Sequence, residues 1–135
     1  MNKLYVVNKY TAEGRKEIHK ELTTINPYML IYLMKNYIQD ESIEYNDNRL
    51  VVYVAQKGKC AITGEQLQLG EMHCHHKKSQ RAGGTDKYEN LIFVTDTIHK
   101  LIHLENETSI ENYISTLKLN EKQLNKLNEL RELAK

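Results

Sequence analysis

Between residues 59 and 104 the chain changes character, and this change constrains its fold more than any other feature. Glycines fall at 64, 70, 83 and 84, and short β-favouring runs replace the helix-forming stretches on either side. Met72–His76 and Leu91–Thr95 read as strands, and Asp96 stands where it can cap a helix over about 97–104. The expectation is an α+β protein built on a short antiparallel hairpin and a helix, flanked by N-terminal and C-terminal helices.

The flanks read as helix. In the first 58 residues, 11–22 carries strong helix formers apart from Gly14. Asn26-Pro27 gives a cap followed by proline at the first helical position. Leu30, Leu33, Met34, Tyr37 and Ile38 then recur at helical spacing, which predicts a helix over 28–38. Asn46 or Asp47 is expected to cap a short helix over 49–57 that stops at Gly58. After residue 104, Thr108-Ser109-Ile110-Glu111 matches a capping box ahead of Tyr113, Ile114 and Leu117. Asn120 heads a last helix whose leucines, Leu124, Leu127 and Leu130, form a stripe too short for a coiled-coil seam and suited to core packing. The expected division is therefore 1–58 helical, 59–104 the β-containing core, and 105–135 helices packing on it.

Composition bounds the function. A chain of 135 residues, 40% hydrophobic and 27% charged, suits one globular unit. The net charge of +1 gives no global attraction to nucleic acid, so any such affinity must be local. The longest apolar run, 28–34, is far short of a membrane span, and the first residues lack the zones of a secretory signal. A cytoplasmic protein with reduced Cys60 and Cys74 and no membrane partner is the expectation.

Four of the six histidines form two tight sets, His75-His76 and His99/His103. The second set is spaced i, i+4, so both rings leave one helix face and can ligate one metal ion. Neighbours on a strand point to opposite sides, so His75 and His76 are expected to do different jobs, one binding metal and the other facing substrate. His19 stands alone and receives no role, and His73 reads as a plain strand residue or a supporting hydrogen-bond partner.

The order of these features is histidine pair, glycine loop with Asp86 and Tyr88, Asn90, the apolar run Ile92-Phe93-Val94, and then the helix His99-Lys100-Leu101-Ile102-His103. This arrangement resembles the HNH nucleases of the ββα-metal fold. His76, Asn90 and His99 stand where that family's three name-giving residues belong. Tyr10-Thr11-Ala12-Glu13-Gly14-Arg15, Asp47-Asn48-Arg49, Gln56-Lys57-Gly58-Lys59-Cys60-Ala61-Ile62-Thr63-Gly64 and His73-Cys74-His75-His76 extend the likeness. Together they resemble the C-terminal DNA-binding and endonuclease region of group II intron-encoded proteins, without the reverse transcriptase part.

The resemblance implies a metal-dependent endonuclease that hydrolyses DNA phosphodiester bonds. It gives His76 the role of general base, a task suited to an imidazole near neutral pH. Asn90 would orient that base by bonding it or its loop. His75, His99 and His103 would hold one divalent ion, leaving a coordination position open as catalytic sites do. The resemblance favours Mg²⁺ or Mn²⁺, whereas imidazole donors also suit Zn²⁺ or Ni²⁺. Lys77, Lys78, Arg81 and Lys87 cluster after the base and would contact the DNA backbone with little sequence choice. Intron RNA or a reverse transcriptase component are further partners that the resemblance implies.

One departure stands out. Many HNH domains hold a structural zinc with two Cys-x-x-Cys pairs, but here Thr63 follows Cys60 at that spacing and Cys74 has no cysteine nearby. No structural zinc is expected, and the two thiols read as buried neighbours. Two other readings compete with the enzyme: a catalytically inactive DNA-binding remnant of a mobile-element protein, and a metal-stabilised interaction domain.

Overall fold

The computed structural model describes residues 25–135. The helix expected over 11–22 and the lone His19 lie outside them. Among the described residues the protein is α+β, with five α-helices and one two-stranded antiparallel sheet. Helix α1 is Pro27–Lys35 and α2 is Ile43–Ala55. Strands β1 (Met72–His76) and β2 (Leu91–Thr95) follow, joined by a loop with two 3₁₀ turns, Gln80–Ala82 and Tyr88–Asn90. Helices α3 (Asp96–His103), α4 (Glu107–Leu117) and α5 (Glu121–Leu133) complete the chain.

Both strands occupy the expected residues, in a register that sets His75 opposite Ile92 and His76 opposite Leu91. Helix α3 leaves β2 directly, capped by the Thr95 hydroxyl, one residue ahead of the Asp96 that sequence reasoning favours. Asn120 caps α5 in a complete capping box with Gln123.

The N-terminal helices differ from expectation at their ends. α1 stops at Lys35 rather than at 38, because later residues take over its exit. Asn46 grips Ile38 by its backbone N–H and carbonyl, at 2.8 and 3.1 Å, as a neighbouring strand would. Buried Arg49 donates to the Asn36 carbonyl at 2.9 Å, satisfying an end that α1 cannot satisfy itself. Asn46 is therefore engaged elsewhere and does not cap α2. Ser42 does, and the helix begins six residues earlier than expected. Likewise Asn106, not the Thr108 box, caps α4. Arg131 repeats the device at the other end of the molecule, donating to the Leu101 and Leu104 carbonyls where α3 ends.

One buried cluster runs through all three stretches of the chain. It includes Leu33 of α1, Leu50, Tyr53 and Val54 of α2, Phe93 and Val94 of β2, Ile98 and Leu101 of α3, and Leu127 and Leu130 of α5. The leucine stripe of α5 is thus core packing. Tyr53 meets Phe93 edge to face at 5.7 Å, a favoured aromatic geometry. Cys60 and Cys74 are free and buried, and burial pushes the Cys74 thiol up to about 12. No helix of the described residues is long and apolar enough to cross a membrane.

Candidate metal centre and its neighbouring histidine

Helix α3 is apolar on the face of Ile98, Leu101 and Ile102, all buried, and this fixes where its other faces point. His99 and His103, one turn apart, come out beside β1 and meet His75. The three ring centroids lie 4.8 to 5.4 Å apart, each pair edge to face. Each ring offers one nitrogen, and these nitrogens lie within 4.8 Å of one another. His75 is 3% exposed, His99 half-buried and His103 exposed, so the cluster opens to solvent on one side.

The electrostatics suit a cation site. Burial, and then the neighbouring imidazoles, hold His75 down at about 3, and burial and then His73 and His103 hold His99 at about 4. Both rings are therefore neutral near pH 7, the form that ligates metal. The Nε2 of His75 is buried and has no hydrogen-bond partner. Leaving a buried polar atom unsatisfied costs about 1–3 kcal/mol. A divalent ion held by the three rings would remove that cost, so the residues present fit such a group.

His73 adds a fourth ring. It stacks face to face on His99 at 3.8 Å and 21°. Stacked rings do not aim their in-plane nitrogens at one point, and His73 accordingly stands outside the converging set. Its contact holds the His99 ring in place. The i, i+2 alternation with His75 was the available signal for this shared face.

His76 leaves the strand on the opposite side. Its ring stacks on Tyr45 at 5.0 Å and 16°, and its Nε2 lies 2.8 Å from Asp86 Oδ1. A carboxylate only accepts, so Nε2 carries the proton in this bond. Asp86 is itself tied down: Ser42 donates to its Oδ2 at 2.6 Å, Gln80 to its Oδ1 at 3.3 Å, and Asn48 to its backbone carbonyl at 2.8 Å. The Ser42 and His76 hydrogen bonds, in that order, lower its pKa. Tyr45, in turn, donates to the Cys74 carbonyl at 2.8 Å. Asp86 and Tyr45 were not singled out as site residues by the sequence, since neither follows from local spacing.

Asn90 makes no hydrogen bond to His76. Its amide donates to the Lys78 and Thr85 carbonyls at 3.1 and 2.7 Å, and its oxygen accepts from the Lys78 N–H at 2.9 Å. It therefore cross-braces the 77–90 loop. That loop carries Lys77, Lys78, Arg81 and Lys87, of which all but half-buried Lys77 are exposed. Among the described residues none of the four makes an ion pair. Neither Cys60 nor Cys74 joins a group of convergent metal donors among the described residues.

Comparison of the chain with protein-family models, with curated proteins and with solved structures finds no match.

Proposed function

We propose that the protein is a metal-dependent HNH-type endonuclease that nicks or cuts DNA, related to the endonuclease tails of group II intron-encoded proteins. The observation that carries this reading is the convergence of His75, His99 and His103 beside a strand whose next residue, His76, faces the other way. The hairpin, the braced loop and α3 supply the order of elements that a ββα-metal core requires.

His75, His99 and His103 would hold one divalent ion, which when bound supplies Lewis-acid stabilisation of the scissile phosphate and the leaving oxygen. His76 takes the proton from the attacking water. Its Nε2 is committed to Asp86, so Nδ1 is the nitrogen with a free lone pair. Tyr45 fixes the plane of the ring. Asn90 holds the loop on which Lys77, Lys78, Arg81 and Lys87 stand, and these cations attract the DNA backbone.

The test is conversion of supercoiled plasmid to open circle by metal-stripped protein given Mg²⁺, Mn²⁺, Zn²⁺ or Ni²⁺. Nicking should require metal and should fall at least about 100-fold in His76→Ala, the range expected for loss of a general base. Absence of nicking under every metal sinks the nuclease reading, and retained DNA binding in that case would favour an inactive remnant.

A further inference from the structure

A second group of donors lies on the far side of β1. Glu41 from the turn before α2, His76 from the end of β1 and Asp86 from the connecting loop bring one ligand atom each within 4.8 Å of one another. All three are half-buried. We infer that this group is a second divalent-cation site, separate from the three-histidine cluster, and that filling it silences His76.

Three features of the geometry support a cation here. Two carboxylates converge beside the His76 ring, with no lysine or arginine paired to either among the described residues. Like charges so placed attract a counter-charge. The Glu41 carboxylate has no hydrogen-bond partner among the described residues, so its oxygens are available without breaking a bond. The other two donors are already immobilised, His76 by Tyr45 and Asp86 by Ser42 and Asn48. Little ordering is left to oppose binding.

The donor set selects the ion. One imidazole and two carboxylates suit Zn²⁺, which such donors hold more tightly than Mn²⁺, whereas Mg²⁺ dehydrates reluctantly and prefers oxygen alone. Binding replaces the proton that His76 Nε2 shares with Asp86. That proton moves to Nδ1, so the neutral ring keeps one proton and no charge is created. The lone pair on Nδ1 is thereby lost. This consequence rests on the reading of His76 as a base, but the binding itself does not.

Calorimetric titration of the untagged, metal-free full chain with Zn²⁺ tests the site. Wild type should bind two equivalents. Glu41→Gln and Asp86→Ala should each weaken one of them at least tenfold and leave the other, while His99→Ala should weaken the other one. Glu41→Gln removes no hydrogen bond, so it remains informative if Asp86→Ala misfolds. A single equivalent in wild type, or two equivalents that both variants leave unchanged, overturns the site. In the plasmid assay, excess Zn²⁺ added to the Mg²⁺- or Mn²⁺-supported reaction should inhibit wild type but not Glu41→Gln, whose basal nicking should be unaltered. Inhibition equal in both proteins would overturn the silencing of His76. Absence of nicking altogether would count against the nuclease reading alone, since the titration still decides the site.

Discussion

His75 and His76 are consecutive on β1 yet belong to separate environments: His75 meets His99 and His103, while His76 lies between Tyr45 and Asp86. Their removal should therefore have different signatures. His75→Ala should abolish tight binding at the triad and with it the triad's share of the thermal stabilisation by metal. An ion present at 100 times its dissociation constant adds about 2.7 kcal/mol, or roughly 10 °C in a chain of this size. His76→Ala should keep that metal-induced rise in Tm and lose nicking. Thermal melts of both variants in EDTA and in saturating Mn²⁺ check this, and loss of the rise in both would contradict the division.

The same burial that keeps His75 and His99 neutral makes the metal-free protein sensitive to acid. Both have folded pKa values, about 3 and about 4, below the ordinary histidine value. The unfolded chain then binds more protons as pH falls below about 6.5, and stability falls with it. Above that pH the contribution is fully present. From pH 6.5 to pH 5, His75 alone should cost about 2 kcal/mol. Urea denaturation in EDTA across this range measures it, and His75→Gln should flatten the dependence. A flat profile in the parent protein would show that the rings are not held neutral.

The two strands were legible because their evidence is local. A histidine alternation and an apolar β-branched run each announce their own length, and the i, i+4 spacing places His99 and His103 on one face without further help. What was not legible depends on distant partners. The end of α1 is decided by Asn46 and Arg49 of the next helix, so periodicity through Ile38 misleads. Asp86 reaches His76 only because Ser42 and Asn48, 44 and 38 residues earlier, grip it. The resemblance implies that Asn90 holds the base or its loop. The loop is what it holds, because the Lys78 and Thr85 carbonyls lie within reach of its amide.

Gly83 and Gly84 look equivalent in sequence, but their substitutions should differ sharply. Gly83 has a left-handed φ of 93° with open space around it, so alanine there costs about 1 kcal/mol of backbone strain. A Cβ on Gly84 would lie 1.9 Å from the Lys78 carbonyl oxygen and 2.8 Å from that of Ser79. Both are backbone atoms of the loop that Asn90 braces, and neither can rotate away. Gly84→Ala should therefore displace the loop and cost more than about 3 kcal/mol, the range of severe steric lesions. Equal denaturation midpoints for the two variants would contradict this placement.

Gln56, just past the end of α2, does for β2 what a third strand would do. Its amide nitrogen donates to the Phe93 carbonyl and its oxygen accepts from the Phe93 N–H, each at 2.8 Å, and the same nitrogen reaches the Lys59 carbonyl at 2.8 Å. The outer edge of β2 is thus paired by a side chain at the residue whose ring fills the core against Tyr53. Removing it in Gln56→Ala leaves the Phe93 N–H without its partner, at a cost of about 2 kcal/mol. Because the strand carries α3 directly after it, the lesion should spread to the orientation of His99 and His103. Hydrogen exchange at the Phe93 amide should accelerate about 30-fold, the kinetic equivalent of that energy. Triad metal affinity should fall alongside it. Unchanged protection at Phe93 would mean that the β2 edge is held without the glutamine.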